Sequence, residues 1–248
     1  MAGRSADVVV VGAGLVGLAI GWNLARAGQR VLVAERDRIA CGTTDASFAW
    51  LNATSKLEPA YHRLNAEGLA RHLEFARLWG EGTVGLHGAG TVTWSEPDAA
   101  IPPEAMRRDR DALRELGYPC VALGRDDLVA LEPHVAFGPR AEGFLASRDR
   151  WLDAPVLARH LAGEIVRAGG EVRAAAPVTA IGPGMATIAG ESVGFGALVI
   201  AAGPATDAVV ALARHETPHH FPVGRVPGLL VTLPRGKIAC TVPVPKSG

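Results

Sequence analysis

Val8-Val9-Val10-Val11 is an unbroken β-branched run, and Gly12-Ala13-Gly14-Leu15-Val16-Gly17 follows it directly. A wholly apolar strand of this kind has both faces buried, as in a parallel sheet. Beyond Gly14 the apolar positions become Leu15, Leu18, Ala19, Trp22 and Ala25, which is helical spacing, and Gly28 is a stop signal. Val31-Leu32-Val33 reads as a second buried strand, ending at Glu35. The opening is therefore a βαβ unit, right-handed by the general rule for parallel crossovers.

The pattern Gly12-x-Gly14-x-x-Gly17 at a strand-to-helix junction points to a dinucleotide. Gly12 permits the tight turn. Gly14 lets a pyrophosphate approach backbone N–H groups at the positive helix end, and Gly17 allows close helix–strand packing. Glu35 stands eighteen residues beyond Gly17, where a carboxylate accepts both hydroxyl hydrogens of an adenosine ribose. A free ribose diol disfavours NADP, while NAD and FAD both stay open, an NAD-dependent dehydrogenase among the readings. The next segment favours FAD. Residues 41–50 are rich in hydroxyls and run irregularly past the ribose site, where Thr and Ser can meet the phosphates of an extended cofactor. A plain NAD domain more often continues into another helix and strand.

Pro59 opens a long helix with Tyr61, Leu64, Leu69, His72, Ala76 and Trp79 along one side. Residues 86–95 read as strand with glycine breaks, and 104–116 as helix. Asp126 or Asp127 caps a short helix ending near Glu132-Pro133. Asp153 is a good N-cap for a helix that stops at Gly169-Gly170. Short strands follow at 171–174, 178–181, 185–188 and 191–195, with a separate apolar strand at 198–201. The βαβ start is thus interrupted by an insertion before its sheet resumes, which predicts two interleaved domains.

Composition excludes several classes. Twenty-five basic residues balance 25 acidic ones, so no electrostatic nucleic-acid binder is expected. A hydrophobic share of 48% argues against disorder, and 30 glycines without a three-residue period rule out collagen. Cys41, Cys120 and Cys240 form no CxxC and no disulfide framework, as in a cytoplasmic protein with reduced thiols. Residues 8–25 superficially resemble a secretory signal after Arg4. Asp7, four glycines and the lack of a cleavage site argue against that, and against a membrane span. His219-His220 point apart on a strand with no third ligand near, so no metal is expected.

Four stretches taken together, 8–35, 42–52, 143–170 (with Arg150-Trp151-Leu152-Asp153) and 198–203, resemble the FAD-dependent amine and D-amino-acid oxidase family, which includes glycine oxidase, sarcosine oxidase and D-amino acid oxidase. The resemblance spans about residues 7–215. It implies an α/β, Rossmann-like FAD/NAD(P)-binding fold with an interleaved, incomplete α+β substrate domain. The FAD-binding domain would be 1–85 and 148–215, and the partial substrate domain 86–147 and 216–248. Ala13, Gly14, Leu15 and Val16, with Glu35 and Arg36, would hold the ADP half. Thr43, Thr44 and Ser47 would hold pyrophosphate and reach toward the flavin. Val178 would touch adenine through its backbone, and Ala202-Gly203 would close over the phosphates.

One departure is Ala49, where many members have a glycine passing close to the flavin ring. The implied activity is hydride transfer from the CH–NH group of an amino acid or secondary amine to FAD. Residues 221–233 resemble a returning substrate-domain strand, and 235–248 read as an unrelated tail. The family's arginine or tyrosine for the substrate carboxylate has no counterpart, and nothing marks Arg225. No catalytic residue is therefore assigned. A truncated chain, or one that needs a partner subunit or oligomer, is the alternative expectation.

Overall fold

The structure, a computed structural model, describes residues 4–54 and 56–213. The chain opens with β1 (Arg4–Val11), α1 (Leu15–Arg26) and β2 (Val31–Ala34). Next come β3 (Trp50–Leu51), α2 (Pro59–Trp79), α3 (Glu81–Val84), β4 (Leu86–His87) and β5 (Thr91–Ser95). They are followed by α4 (Pro103–Glu115), β6 (Cys120–Leu123), α5 (Arg125–Leu131), β7 (Glu142–Ala146) and β8 (Arg150–Leu152). The last described elements are α6 (Ala154–Arg167), β9 (Glu171–Arg173), β10 (Val178–Gly182), β11 (Met185–Ile188), β12 (Glu191–Ile200) and the short α7 (Thr206–Val210). These form two units. The described residues of one are 4–47 and 154–213, and those of the other are 48–153.

The first unit is built on a six-stranded sheet in the order β10-β11-β12-β1-β2-β9. β12, β1, β2 and β9 run parallel, and β10 and β11 add to β12 as antiparallel hairpins. The apolar runs end up where such runs must, covered on both faces. Val9, Val11, Leu32 and Ala34 pack with Ala176, Ala186, Ile188 and Val193. Val33 points the other way, toward α1 and α6: a Cβ on Gly21 would lie 2.9 Å from its Cγ2 and 3.2 Å from Ile165 Cδ1. Burying each large aliphatic side chain here stabilises the fold by about 1.5–3 kcal/mol.

The strands expected separately at 191–195 and 198–201 are one, β12. Gly196, which falls between the two expected strands, is instead a point of close approach to β1. A Cβ on Gly196 would stand 3.0 Å from Asp7 O.

The second unit has two three-stranded antiparallel sheets, β3-β8-β4 and β5-β7-β6. Leu69 of α2, Met106 and Leu113 of α4, Tyr118 and Phe144 form one core. Val92, Leu123, Leu128, Phe137 and Ala141 form another. The unit boundaries fall at 47/48 and 153/154 rather than at the expected 85/86 and 147/148. The reason is pairing. β3 and β4 both bond to β8, which stitches 50–87 and 150–152 into one sheet. The short helix expected from Asp126 or Asp127 begins one residue after Gly124, and Asp127 instead accepts a hydrogen bond from Gly124 N at 2.9 Å. Residues 216–248, with Arg225, His219, His220 and Cys240, lie outside the described residues.

Candidate dinucleotide site

The parallel strands of the first unit end side by side. Gly12 N donates to Ala34 O and Ala201 N donates to Val11 O, each at 2.8 Å, so the turns after β1, β2 and β12 meet. Ligands of open parallel sheets bind at such carboxyl ends. Gly12 has φ +108°, and a Cβ there would stand 2.4 Å from Ala201 O. On Gly17 it would stand 2.0 Å from Gly12 O, so α1 seats against the turn only with glycine at that position. Gly14, the N-cap of α1, differs. A Cβ there would meet only Thr44 Oγ1, at 3.3 Å. The first and third glycines close the turn, and the second leaves its backbone open.

Two side chains fasten this turn. Glu35 Oε2 accepts from Ala13 N at 2.9 Å, and Oε1 accepts from Asp37 N at 3.1 Å. A carboxylate offers about four lone-pair sites, so both oxygens keep capacity for ribose hydroxyls. Thr44 Oγ1 accepts from Leu15 N at 3.1 Å, one of the amides that a helix start leaves without an intrahelical partner. Ala40 N donates to Ala13 O at 3.0 Å, returning the hydroxyl-rich segment to the glycine turn.

The sequence-derived residues distribute around this point. Gly12, Ala13, Gly14, Leu15, Val16 and Gly17 form the turn and first helical turn, with Ala13 fully buried and Val16 exposed. Ala202 and Gly203 follow β12, and a Cβ on Gly12 would stand 3.2 Å from Ala202 Cα. Arg36, Thr43 and Ser47 are exposed on the stretch after β2, where Thr44 is the hydroxyl that reaches the helix end. Val178 opens β10 and packs on the sheet core. Ala176 N donates to Glu35 O at 2.7 Å, which brings that strand's approach beside the end of β2. Open backbone at Gly14, amides at a helix start and a carboxylate at the end of β2 suit a dinucleotide's pyrophosphate and ribose.

A second polar cluster, unmarked in the sequence, lies inside the 48–153 unit. The carboxylate of Asp149, fully buried, accepts hydrogen bonds from the hydroxyls of Thr54 (2.8 Å), Tyr118 and Thr91. Burial holds the Asp149 carboxyl above the ordinary range although these bonds pull it down. Burial, then the charge of Asp149, pushes the Tyr118 phenol well up, so it stays a neutral donor. Trp50 Nε1 donates to Thr91 Oγ1 at 2.9 Å, which ties the indole to the same knot. The four residues around the carboxylate are scattered along the chain and share no spacing that a sequence pattern could reveal.

Among the described residues no group of three or more His, Cys, Asp or Glu side chains is placed to hold a metal ion. No helix among them is long and apolar enough to cross a membrane.

Comparisons with known proteins decide what the glycine turn leaves open. The family model for FAD dependent oxidoreductases (DAO) matches residues 7–247. Residues 235–247, read above as an unrelated tail, thus fall within the family match. Glycine oxidase of Geobacillus kaustophilus (strain HTA426) is 27% identical over 168 residues, covering 66% of this chain and 44% of the relative. The crystal structure of glycine oxidase from Geobacillus kaustophilus superposes with a TM-score of 0.74 at 25% identity, over 84% of this chain and 58% of that one. L-proline dehydrogenase from P. horikoshii shares the fold with a TM-score of 0.73 at 17% identity, over 87% of this chain and 57% of that one. The chain therefore spans less than two thirds of the length of these relatives. FAD is the cofactor of the family, which settles the choice between FAD and NAD. A Rossmann-like α/β sheet, a glycine turn closed by Glu35 and a match over residues 7–247 make this chain a member of the DAO family of FAD-dependent oxidoreductases.

Proposed function

We propose that this chain binds FAD at the carboxyl ends of β1, β2 and β12 and serves the oxidation of the CH–NH group of an amino acid or secondary amine. The observation that carries the reading is Glu35. Its carboxylate, fixed by Ala13 N and Asp37 N, stands where an adenosine ribose would present its hydroxyls. Gly14, Leu15 and Val16 offer the helix start to the pyrophosphate, with Thr43, Thr44 and Ser47 supplying hydroxyls. Arg36 and the Val178 backbone flank the adenosine end, while Ala202 and Gly203 close over the phosphates.

FAD, when bound, supplies the hydride-accepting ring; the protein binds, orients and excludes water around it. The similarity to glycine oxidase supports an amine or amino acid as the substrate. The cysteine pattern supports a cytoplasmic setting.

The experiment is purification, or refolding with cofactor, followed by acid release and anaerobic addition of glycine, sarcosine, proline and D-amino acids. Released FAD and bleaching by one of these amines support the whole reading. Tight NAD binding without FAD affinity would overturn it. Bound FAD that no amine reduces would keep the cofactor reading and overturn the amine substrate.

A further inference from the structure

Within the 48–153 unit, α2 and the segment after β3 face each other across a concavity of about 200 Å³. From the helix come Asn65, Leu69 and His72, with Gly68 opening the floor: a Cβ there would meet nothing within 4 Å. From the other side come Trp50, Asn52 and Lys56. Lys56 is the only lysine among the described residues of an arginine-rich chain.

Its ammonium is held in place rather than waving in solvent. Nζ donates to Asn52 Oδ1, lies 3.4 Å from Thr54 O, and sits 5.8 Å from the centroid of the Trp50 ring. Thr54 and Trp50 are themselves fixed by the Asp149 knot, directly and through Thr91. None of the lining side chains is acidic. Burial keeps the His72 imidazole toward its neutral form, so Lys56 is the charged group of the wall, its ammonium near enough to the buried Asp149 carboxylate to favour that group's ionised form. The volume is below the about 300–1,000 Å³ of pockets for drug-sized ligands, so the occupant is small.

We infer that this concavity binds a small carboxylate, with Lys56 as the residue that anchors the anion. That the acid is the carboxylate of an amino-acid substrate rests on the proposed function; the anion site itself does not.

The test is calorimetric or ligand-observed NMR titration of the intact chain with acetate, propionate and benzoate, each against its amide: acetamide, propionamide and benzamide. At least one acid should bind saturably and its amide should not. Lys56→Met should weaken that acid by about 10- to 150-fold, the range for a hydrogen bond to a charged group. Lys56→Arg, which keeps the charge, should retain most of the affinity. The inference is overturned if no acid saturates, if amides bind as well as acids, or if Lys56→Met binds within twofold of the parent. The acid–amide contrast needs no variant, so a Lys56→Met chain that fails to fold leaves the test intact. FAD content, measured on the same samples, separates the two readings. Full FAD loading without acid binding sinks the anion site alone, and acid binding without FAD sinks the cofactor reading alone.

Discussion

Glu35 Oε2 accepts the amide hydrogen of Ala13 at 2.9 Å, so the residue after β2 braces the turn after β1. One carboxylate thus shapes the glycine turn and, in the function proposed above, also accepts the ribose hydroxyls. Its removal acts on cofactor affinity through both. Glu35→Ala should weaken FAD binding by about 10- to 150-fold, from the loss of charge-assisted hydrogen bonds. Fluorescence titration of the apoprotein measures it, and a dissociation constant within twofold of the parent would remove the ribose assignment.

The three glycines should separate by what their loss damages. Gly17→Ala drives a methyl into Gly12 O, an overpacking that costs about 1–3 kcal/mol or more and lowers Tm by roughly 2–4 °C per kcal/mol. Gly14→Val meets little beyond Thr44 and should leave Tm within a few degrees. Its FAD affinity should fall further than that of Glu35→Ala. Equal thermal losses in the two variants would contradict this division.

Ala49 holds φ +43°, a left-handed conformation that L-residues adopt at a cost of about 1–2 kcal/mol. Ala49→Gly relieves that cost and returns about 0.4–1 kcal/mol to the unfolded chain as entropy. The net expectation is a stabilisation of about 0.5–1 kcal/mol, read as a higher midpoint in urea. A lower midpoint would show that the alanine methyl contributes packing that outweighs its backbone strain.

Asp149 should impose an inverted pH dependence. Its carboxyl is raised in the folded chain above the 3.8 of the free side chain. Between those two values the folded chain holds a proton that the unfolded chain has released. Stability from this group is full below pH 3.8 and is lost as pH rises through the folded value. Asp149→Asn lacks that titration. Urea unfolding across this range should show the parent losing stability relative to the variant as pH rises. A difference that is flat, or that runs the other way, would mean the buried carboxyl is not raised.

The first unit was largely legible because its strands announce themselves. Val8–Val11 and Val31–Val33 are apolar on every residue, which only a sheet covered on both faces explains. Glu35 and the glycines lie in one βαβ unit, so linear spacing carries their geometry. The reading failed at Gly196, where the break expected between two strands is a close approach of β12 to β1. It missed the short strands β3, β6, β7 and β8, whose partners lie far along the chain and whose pattern is too brief to show a period. The Asp149 knot was hidden for the same reason. Thr54, Thr91 and Tyr118 reach one carboxylate only after two sheets and two helices have formed around it.

The order of strands has a consequence for the chain during its synthesis. β1 lies between β2 and β12, yet Val8 meets Ala197 only after residues 48–153 of the other unit have been made. Lengthening a loop is thermodynamically mild, at about 0.6 kcal/mol per doubling. The burden is one of time. At roughly 5–20 residues per second, β12 leaves the ribosome on the order of 10–30 s after β2. For that interval one flank of β1 stands as an open edge of valines, the kind of surface that invites pairing with another nascent chain. The arrangement that brings the glycine turn beside the end of β12 thus makes this protein a late closer, its exposure during synthesis set by its topology rather than by its final stability.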